Sequence, residues 1–278
     1  MRVGFLGPSG TYAEEALRAS APGPVDEVPF ATVHETVMAV QNGVVDRAVV
    51  PIENSLEGSV TTTLDALAGE ADRVRIVGEA VLAIRHCLIA RPGRSVDELV
   101  RVVSHPQALA QCAEFLRTRL PRASAEVAAS TAEAVRVVAS SDEPLGALGT
   151  RLAAELYDCE VLAEAVDDSV ENLTRFVWLG PDGAEPQGGA ADKTSIVFWG
   201  FNDESPGALV GVLSEFADRA INLTKIESRP RRVRLGHYMF FADLDGAAAD
   251  EQVAAALEAL RRRVETLKVL GSYPAAQR

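Results

Sequence analysis

The chain has 278 residues, is 47% apolar and carries a formal net charge of −13 at pH 7. Length and composition predict a substantial core and about two domains, whereas the acidic balance argues against a broad surface for nucleic acid or anionic membrane. No apolar stretch approaches the ~18 residues of a membrane span, and the first residues lack the long apolar region of a signal peptide. We therefore expect a cytoplasmic protein.

The cysteines and histidines do not indicate a metal site. Cys87, Cys112 and Cys159 are widely spaced without a CxxC motif, and the chain has only four histidines. Such cysteines are typical of reduced, mostly buried thiols, and the spacing lacks the ligand clusters of zinc sites. We expect no bound metal.

The first 180 residues alternate strand-like and helix-like patterns. The predicted strands cover residues 3–6, 48–50, 74–77, 80–89, 102–103, 146–148, 161–163 and 176–179. The predicted helices cover residues 12–19, 32–41, 59–68, 107–120, 134–139 and 151–157. Strands that alternate with helices favour an α/β architecture with mostly parallel sheets.

The middle of this region has the pattern of a separate lobe. We assign residues 80–160 to a second lobe, inserted into a first lobe formed by residues 1–79 and 161–180. A cleft between two lobes is a common place for a small-ligand site. The sequence therefore predicts a candidate site between the lobes.

The last third of the chain has a different pattern. Residues 181–192 are a linker by composition, because glycine, proline and alanine dominate it. Residues 193–274 show the order βαββαβ, which is the ferredoxin-like arrangement. Nothing in this module resembles a catalytic dyad, so a dimerisation domain and a regulatory ligand-binding domain both remain open.

Three polar turns each follow a strand-like run and open a helix-like run. They are GPSGT at residues 7–11, PIENS at 51–55 and SHPQ at 104–107. Loops at the carboxyl ends of strands are where open α/β sheets bind ligands, and helix N-termini favour anions. Taken alone, each could equally be an ordinary turn in which Asn54, Ser55 or Ser104 caps a helix.

A fourth segment, ENLTRF at residues 171–176, places a hydroxyl beside a guanidinium on a predicted strand. The Thr174 hydroxyl is a weak acid but can protonate a leaving hydroxyl through a hydrogen-bond network, and Arg175 is a fork-shaped donor suited to a carboxylate. Neighbouring side chains on a strand point to opposite faces. Both therefore reach one ligand only if the strand is irregular or ends there; otherwise they are an edge-strand threonine and a surface arginine.

Together these segments resemble the motifs of the prephenate dehydratases. The matching segments are GPSGTY at 7–12, VPIENS at 50–55, SHPQALAQC at 104–112 and NLTRF at 172–176, which carries the Thr-Arg-Phe signature of that family. The C-terminal module resembles an ACT regulatory domain, with GALV at 207–210 and ESRP at 227–230. The resemblance covers nearly the whole chain, with six motifs in the expected order.

The resemblance implies a two-lobed catalytic domain similar to type II periplasmic binding proteins, followed by the ACT domain. It implies conversion of prephenate to phenylpyruvate, water and carbon dioxide without metal or cofactor. Prephenate is a dianion, so the site must hold two carboxylates, help a hydroxide leave as water and let one carboxylate leave as CO2. Helix N-termini and Arg175 suit the first task, and a dry cleft favours the last. The chain opens directly on its first strand, so we expect a monofunctional enzyme without a preceding chorismate mutase segment.

The resemblance also implies roles for individual residues. The implied proton donor is Thr174, and the other implied catalytic residues are Glu53, Ser104 and Gln111. The implied substrate-binding residues are Ser9, Thr11, Asn54, Ser55, Asn172, Arg175 and Phe176. A carboxylate beside a dianion is unfavourable, so we expect Glu53 to be protonated or to act in a proton relay.

For the C-terminal module the resemblance implies feedback inhibition by phenylalanine, bound at an interface between ACT domains. The implied phenylalanine-binding residues are Asn202, Gly207, Ala208, Leu209, Val210, Glu227, Ser228, Arg229 and Pro230. The resemblance further implies a homo-oligomer, either a dimer or a dimer of dimers.

Two other functions stay open from the sequence. An arogenate dehydratase would accept an amino group where prephenate has a keto group. A non-catalytic, two-lobed amino-acid sensor would use the same architecture without turnover, although the intact Thr-Arg-Phe signature at residues 174–176 argues against it.

Overall fold

A computed structural model describes residues 1–169, 171–201 and 205–276. The strands, in chain order, are β1 (Arg2–Leu6), β2 (Asp26–Phe30), β3 (Arg47–Asn54), β4 (Gly58–Ser59), β5 (Val74–Ala83), β6 (Cys87–Ala90), β7 (Arg101–Ser104), β8 (Ser124–Val127), β9 (Leu145–Gly149), β10 (Glu160–Ala163), β11 (Leu173–Pro181), β12 (Lys193–Trp199), β13 (Leu223–Pro230), β14 (Tyr238–Asp245) and β15 (Thr266–Tyr273). The helices are α1 (Tyr12–Ser20), α2 (Val33–Gln41), α3 (Thr61–Ala68), α4 (Pro106–Gln111), α5 (Ala113–Arg119), α6 (Thr131–Ser140), α7 (Arg151–Leu156), α8 (Ala208–Ala217) and α9 (Glu251–Arg261), with a 3-10 turn at Val96–Glu98. In these described residues no helix is long and apolar enough to cross a membrane.

The first lobe is built on the strand order β5-β11-β3-β1-β2. Helix α1 packs on one face of this sheet, and α2 and α3 pack on the other. Burial on both faces explains why strand β3 reads as a continuous apolar run at residues 48–50, all of which are buried,. Strand β11 returns from the second lobe and runs antiparallel to both β3 and β5.

The second lobe has the strand order β10-β6-β9-β7-β8. Helices α6 and α7 cover one face, and residues of α4 and α5 cover the other. Strand β10 pairs with β6, so it belongs to the second sheet, although the sequence assigned residues 161–163 to the first lobe. Strand β5 stays in the first sheet as far as Ala83, so the crossing to the second lobe begins after that residue.

The C-terminal module is a four-stranded sheet in the order β13-β14-β12-β15. Helices α8 and α9 pack together on one face, and the chain order is β12-α8-β13-β14-α9-β15. The predicted ferredoxin-like arrangement and the two-lobed α/β architecture before it are thus confirmed. Strand β15 meets β5 through the pair Gly271 and Ile76, where a Cβ on Gly271 would lie 2.1 Å from the Ile76 carbonyl oxygen. The absence of a side chain therefore lets the sheets of the module and the first lobe join.

Three details of the predicted secondary structure are wrong. The helix expected at 107–120 is two helices, because the backbone at Cys112 leaves the helical region (φ −117°, ψ 19°). The strand expected at 80–89 is interrupted at residues 84–86, where the chain crosses between the lobes. The sheets are also not mostly parallel, because the returning strand β11 and the pairs of β6 with β9 and β10 are antiparallel.

Candidate active site

A cavity of about 350 Å³ lies between the two lobes. Residues at the N-termini of α1 and α3 line it from the first lobe, and residues at the N-termini of α4 and α6 line it from the second. The first N–H groups of a helix lack intrahelical partners and carry a partial positive charge. The cavity is therefore suited to an anion, although no lysine or arginine lines it in the described part of the chain.

The central contact of the cavity is between Asn54 and Thr174, which are opposite each other on β3 and β11. The Asn54 Nδ2 donates to Thr174 Oγ1 at 2.9 Å. The Asn54 Oδ1 accepts from the backbone N–H groups of Leu56 and Glu57 at 2.9 and 3.0 Å. These two backbone donors fix the orientation of the amide. Thr174 Oγ1 is thus an acceptor here, and within the described residues its own hydrogen has no acceptor.

A chain of hydrogen bonds extends from this contact into the second lobe. Asn54 Nδ2 also donates to Asn172 Oδ1 at 2.7 Å, and Asn172 Nδ2 donates to Gln111 Oε1 at 3.1 Å. The same Gln111 oxygen lies 3.1 Å from His86 Nε2, and His86 Nδ1 lies 2.8 Å from the Tyr12 hydroxyl. The chain joins both lobes, because α4 supplies Gln111 and α1 supplies Tyr12.

Burial sets the protonation states at the far end of this chain. His86 is 2% exposed, and burial lowers its pKa, although Asp167 and the hydrogen bond with Gln111 act in the opposite direction. Burial also raises the pKa of Tyr12 well above its usual value. A neutral imidazole and a neutral phenol are the expected forms near pH 7.

Six of the residues expected at the site lie together around the cavity. They are Thr11, Asn54, Gln111, Asn172, Thr174 and Phe176. Thr11 is the N-cap of α1 and also donates to the Leu6 carbonyl at 2.7 Å. Thr174 and Phe176 share one face of β11, as the alternation of a strand requires.

Arg175 and Glu53 do not line the cavity, contrary to the sequence-based expectation. They lie opposite each other on the reverse face of the same strand pair, with Arg175 Nε 3.1 Å from Glu53 Oε2. Arg175 also contacts Glu79 at 3.1 Å and Asp243 of the C-terminal module at 2.8 Å. The pairing of Arg175 and Glu53 on the far face corrects the proposal that both act on the substrate, because β11 keeps its alternation.

The three expected serines are also engaged elsewhere. Ser104 is fully buried and donates to the Leu148 carbonyl at 2.7 Å, and His105 takes the N-cap position of α4. Ser55 bonds the backbone of residues 171 and 173 through its hydroxyl. At Ser9 the carbonyl accepts from the Tyr157 hydroxyl at 2.9 Å. None of these serines lines the cavity, and the hydroxyls of Ser55 and Ser104 hold the loops and strands that frame it.

Two groups of cavity residues were not expected from the sequence. His86 and Tyr12 were not proposed, and neither were Ser130 and Thr131 at the start of α6. A signal for His86 was present, because a histidine inside the apolar run at residues 81–90 needs a buried partner. Ser130 is the N-cap of α6, since its Oγ accepts from the Glu133 N–H at 3.0 Å.

Two family models together match most of the chain. The family model described as prephenate dehydratase matches residues 3–184, and the ACT domain model matches residues 195–262. The chain belongs to the prephenate dehydratase family. The predicted family, the hydro-lyase class and the ACT domain are confirmed.

Individual relatives cover almost the whole chain. A prephenate dehydratase from Mycobacterium tuberculosis is 40% identical over 99% of this chain and 87% of its own length. A solved prephenate dehydratase from Arthrobacter aurescens, in complex with L-Phe, is 39% identical with a TM-score of 0.89, over 100% of this chain and 90% of that one. A solved protein described as GqqA, a novel type of quorum quenching acylase, is 31% identical with a TM-score of 0.88, over 99% and 98% of the two chains.

The residues expected to bind phenylalanine lie in two segments of the ACT domain, which follow strand β12 and end strand β13, and Met239 of β14 pairs with Trp199 and Arg229 at the ends of these two strands. Gly207 is the N-cap of α8 with a positive φ of 83°, and Ala208, Leu209 and Val210 form the first turn. Residues 227–230 end strand β13, where Glu227 contacts Ser59 and Arg229 forms two 2.9 Å hydrogen bonds with Asp65 of the first lobe. Asn202 lies outside the described residues.

Proposed function

We propose that the inter-lobe cavity is the site at which prephenate loses water and carbon dioxide to give phenylpyruvate. The observation that carries the proposal is the Asn54–Thr174 contact. Because Thr174 Oγ1 accepts from Asn54 Nδ2 at 2.9 Å, its hydrogen is available to an oxygen of a bound molecule. A donor so placed can protonate the ring hydroxyl as it leaves.

The reaction balances with one added proton. The ring C–O bond breaks as the hydroxyl leaves as water, and the bond between the ring and its carboxylate breaks to release CO2. The electron pair of the second bond enters the ring, which becomes aromatic. Asn54 Nδ2 stabilises the oxygen of Thr174 while its proton is shared with the leaving group, and the reaction needs no oxidant or reductant.

The cavity has separate features for binding the two carboxylates and for releasing one of them as CO2. The helix N-termini that line it, such as those of α1 and α6, offer N–H groups to the carboxylates,. Leu6, Ile84 and Phe176 supply apolar walls. A carboxylate that becomes CO2 loses its charge, so an apolar wall beside it favours the product over the bound anion.

The test is formation of phenylpyruvate from prephenate by the full chain, read by its absorbance in alkali. Arogenate and an N-acylated amine are assayed as substrates in parallel. Turnover of prephenate supports the proposal. Turnover of arogenate alone would move the assignment to an arogenate dehydratase, and release of an acyl group would assign the chain the acylase activity named for its 31% identical neighbour.

The hydroxyl groups of the cavity favour a dehydratase over an acylase. In the described part of the chain, no serine or threonine hydroxyl of the cavity contacts a histidine. Such a contact is the usual means of activating a hydroxyl nucleophile. The Thr174 hydroxyl is instead paired with an amide donor, which suits proton donation better than attack.

Feedback inhibition by phenylalanine at the ACT domain is the second part of the proposal. Its support is a direct contact between strand β13 and the wall of the cavity. Lys225 Nζ lies 2.6 Å from Ser59 Oγ and 3.2 Å from Glu53 Oε1, and Glu227 also contacts Ser59. Ser59 lines the cavity, so a shift of β13 on ligand binding would move a cavity residue directly.

A homo-oligomer formed through the ACT domains completes the proposal. Several large apolar side chains of this domain are exposed, namely Val210, Ile226, Val233, Leu235 and Tyr238. Large exposed apolar side chains of this kind are candidates for burial in an interface between subunits. Light scattering should therefore give a mass of two or four chains. A monomer at micromolar concentration would contradict the proposed homo-oligomer. We also propose a cytoplasmic location.

A further inference from the structure

His86 lies where the two crossings between the lobes pack against each other. The outgoing crossing includes residues 84–86, and the returning crossing leads from β10 to β11. The His86 backbone N–H donates to Asp167 Oδ2 at 2.8 Å, and its carbonyl accepts from Val166 at 3.0 Å. The backbone of His86 is thus held at the base of the cleft, and its side chain lines the cavity.

The hydrogen-bond chain determines which ring nitrogen of His86 carries the proton. The backbone N–H groups of residues 56 and 57 orient Asn54, which donates to Asn172 Oδ1. Asn172 must then present its Nδ2 to Gln111 Oε1. An amide oxygen can only accept, so the His86 Nε2 at 3.1 Å from that oxygen is the protonated nitrogen.

The opposite side of the ring has a matching partner. His86 Nδ1 lies 2.8 Å from the Tyr12 hydroxyl, whose ring meets the imidazole edge-on at 5.5 Å between centroids. In the neutral Nε2–H tautomer, Nδ1 can only accept, so the single hydrogen of Tyr12 is shared between Nδ1 and the Arg85 carbonyl oxygen, which lies 3.0 Å from the same hydroxyl,. Both ring nitrogens are therefore used, and the ring is held in one orientation.

The Gln111 side-chain oxygen accepts two hydrogen bonds, whereas its nitrogen donates none to the described residues. Within the described residues, Gln111 Nε2 is buried and has no hydrogen-bond partner, and Gln111 lines the cavity. Rotation of the amide by 180° would place this nitrogen against the donors of Asn172 and His86. Unpaired buried donors are unfavourable, so the present orientation leaves the Nε2 hydrogens for a ligand acceptor.

We propose that His86, supported by Tyr12, is a positioning residue that fixes the Gln111 amide with its Nε2 donor available to an oxygen of the bound substrate. The proposal rests on the dehydratase function assigned above to the same cavity. His86 acts only through Gln111 and does not transfer a proton in the reaction. Removing its Nε2 donor would leave the Gln111 orientation to Asn172 alone.

Two substitutions of His86 test whether the hydrogen-bond donor at the Nε2 position matters, or only the presence of a polar side chain. In His86→Gln the amide nitrogen can occupy the position of Nε2, whereas in His86→Asn the shorter amide can replace only Nδ1. We expect His86→Asn to lower kcat/KM about tenfold to a hundredfold, as misplacement of a binding group does, and His86→Gln to retain most of it. His34→Asn is the matched control, because His34 is exposed and its polar contact among the described residues is with Glu70.

A double-mutant cycle with Gln111→Ala tests whether His86 acts through Gln111. We expect His86→Asn to cause little further loss of kcat/KM in the Gln111→Ala background. Full additivity of the two losses, or equal losses in His86→Asn and His86→Gln at equal thermal stability, would overturn the proposal.

The tautomer gives a readout that does not depend on turnover. Nitrogen-15 NMR of the wild-type chain should show His86 protonated at Nε2, with Tyr12→Phe shifting the Nδ1 resonance. Protonation at Nδ1 alone would overturn the proposal even if the chain turns over prephenate. If wild type does not turn over prephenate, the proposed function fails. Protonation of His86 at Nε2 would in that case still show that His86 holds the Gln111 amide in place.

Discussion

Strand β11 presents two chemically different faces to two parts of the molecule. On one face Thr174 meets Asn54, and a chain of neutral groups lines the inter-lobe cavity. On the other face Arg175 meets Glu53 at the same pair of strands, and the guanidinium is buried among carboxylates of the first lobe and the ACT domain. Residues adjacent in sequence thus face a cavity and a domain interface.

The difference between these faces lies in whether polar groups remain available. In the cavity, Thr174 and Gln111 each keep a donor without a partner among the described residues. At the interface, Arg175 contacts three carboxylates, Lys193 contacts Glu79 at 2.6 Å, and Ser195 donates to Asp243 at 2.6 Å. A site that binds a ligand retains unused donors, whereas a buried ion cluster is stable only when its charges are paired.

The charged face follows this rule with one irregularity. Arg175 Nη2 lies 2.8 Å from Asp243 and 3.0 Å from Glu53, yet neither contact has hydrogen-bond geometry. These contacts are ion pairs by distance alone. Burial opposes the charge of Arg175, but Asp243, Tyr273 and the two glutamates raise its pKa, so the guanidinium is charged at neutral pH.

The largest effect is expected at the neutral face. Thr174→Val removes the hydroxyl at nearly constant volume, and we expect kcat to fall roughly a thousandfold. The free energy of unfolding should change little, because Asn54 Nδ2 keeps Asn172 Oδ1 as an acceptor. The measurement is phenylpyruvate formation beside thermal unfolding, with Thr174→Ser as the control that keeps a hydroxyl. A variant that retains wild-type kcat would exclude Thr174 as the proton donor.

On the charged face, a substitution should affect the free energy of unfolding more than kcat. Arg175→Met leaves Glu79 and Asp243 buried beside each other without their shared cation, and we expect a loss of about 3 kcal/mol in the free energy of unfolding. Urea unfolding measures this loss, and Asp243→Asn with Arg175→Met should recover part of it. If Arg175→Met instead lowers kcat/KM as far as Thr174→Val at unchanged stability, the arginine binds substrate as the sequence alone suggested.

A smaller effect is expected where the ACT domain meets the cavity wall. Lys225→Met keeps the aliphatic stem but removes the contacts with Ser59 and Glu53, and we expect a loss of about 1–2 kcal/mol in stability. The concentration of phenylalanine that gives half inhibition should rise severalfold, since coupling free energies of 1–3 kcal/mol are typical. Lys268→Met, which removes a contact with Asp72 away from the cavity, is the control. An unchanged response to phenylalanine would show that this contact does not carry the coupling.

The smallest effect is a dependence of stability on pH. Burial lowers the pKa of His86 in the folded chain, so the unfolded chain, with an ordinary histidine pKa of about 6.5, binds the proton more readily. The free energy of unfolding should therefore fall as pH drops below about 6.5, by at most about 1.4 kcal/mol per pH unit from this group. Urea unfolding of wild type and His86→Gln from pH 7.5 to 5.5 measures the difference. Identical pH profiles would contradict the lowered pKa.

Sequence patterns predicted the architecture well because they reflect local rules. Alternating apolar strands and capped helices indicated two α/β lobes and a βαββαβ module, and the motifs indicated the family. They failed where long-range pairing decides the outcome. Strand β2 has Pro29 and two acidic residues in five positions, so its strand character depends on the parallel partner β1 rather than on its own propensity,.

The candidate site divides in the same way. The sequence alone determined the residue types at the site, including Asn54, Gln111 and Thr174, because short polar motifs at strand ends and helix starts indicate where ligands bind. Only the tertiary structure decided that Arg175 faces the ACT domain and that His86 joins the cavity. The alternation of a strand separates adjacent side chains, but which face meets the cavity depends on the strands and domains that pack beside it.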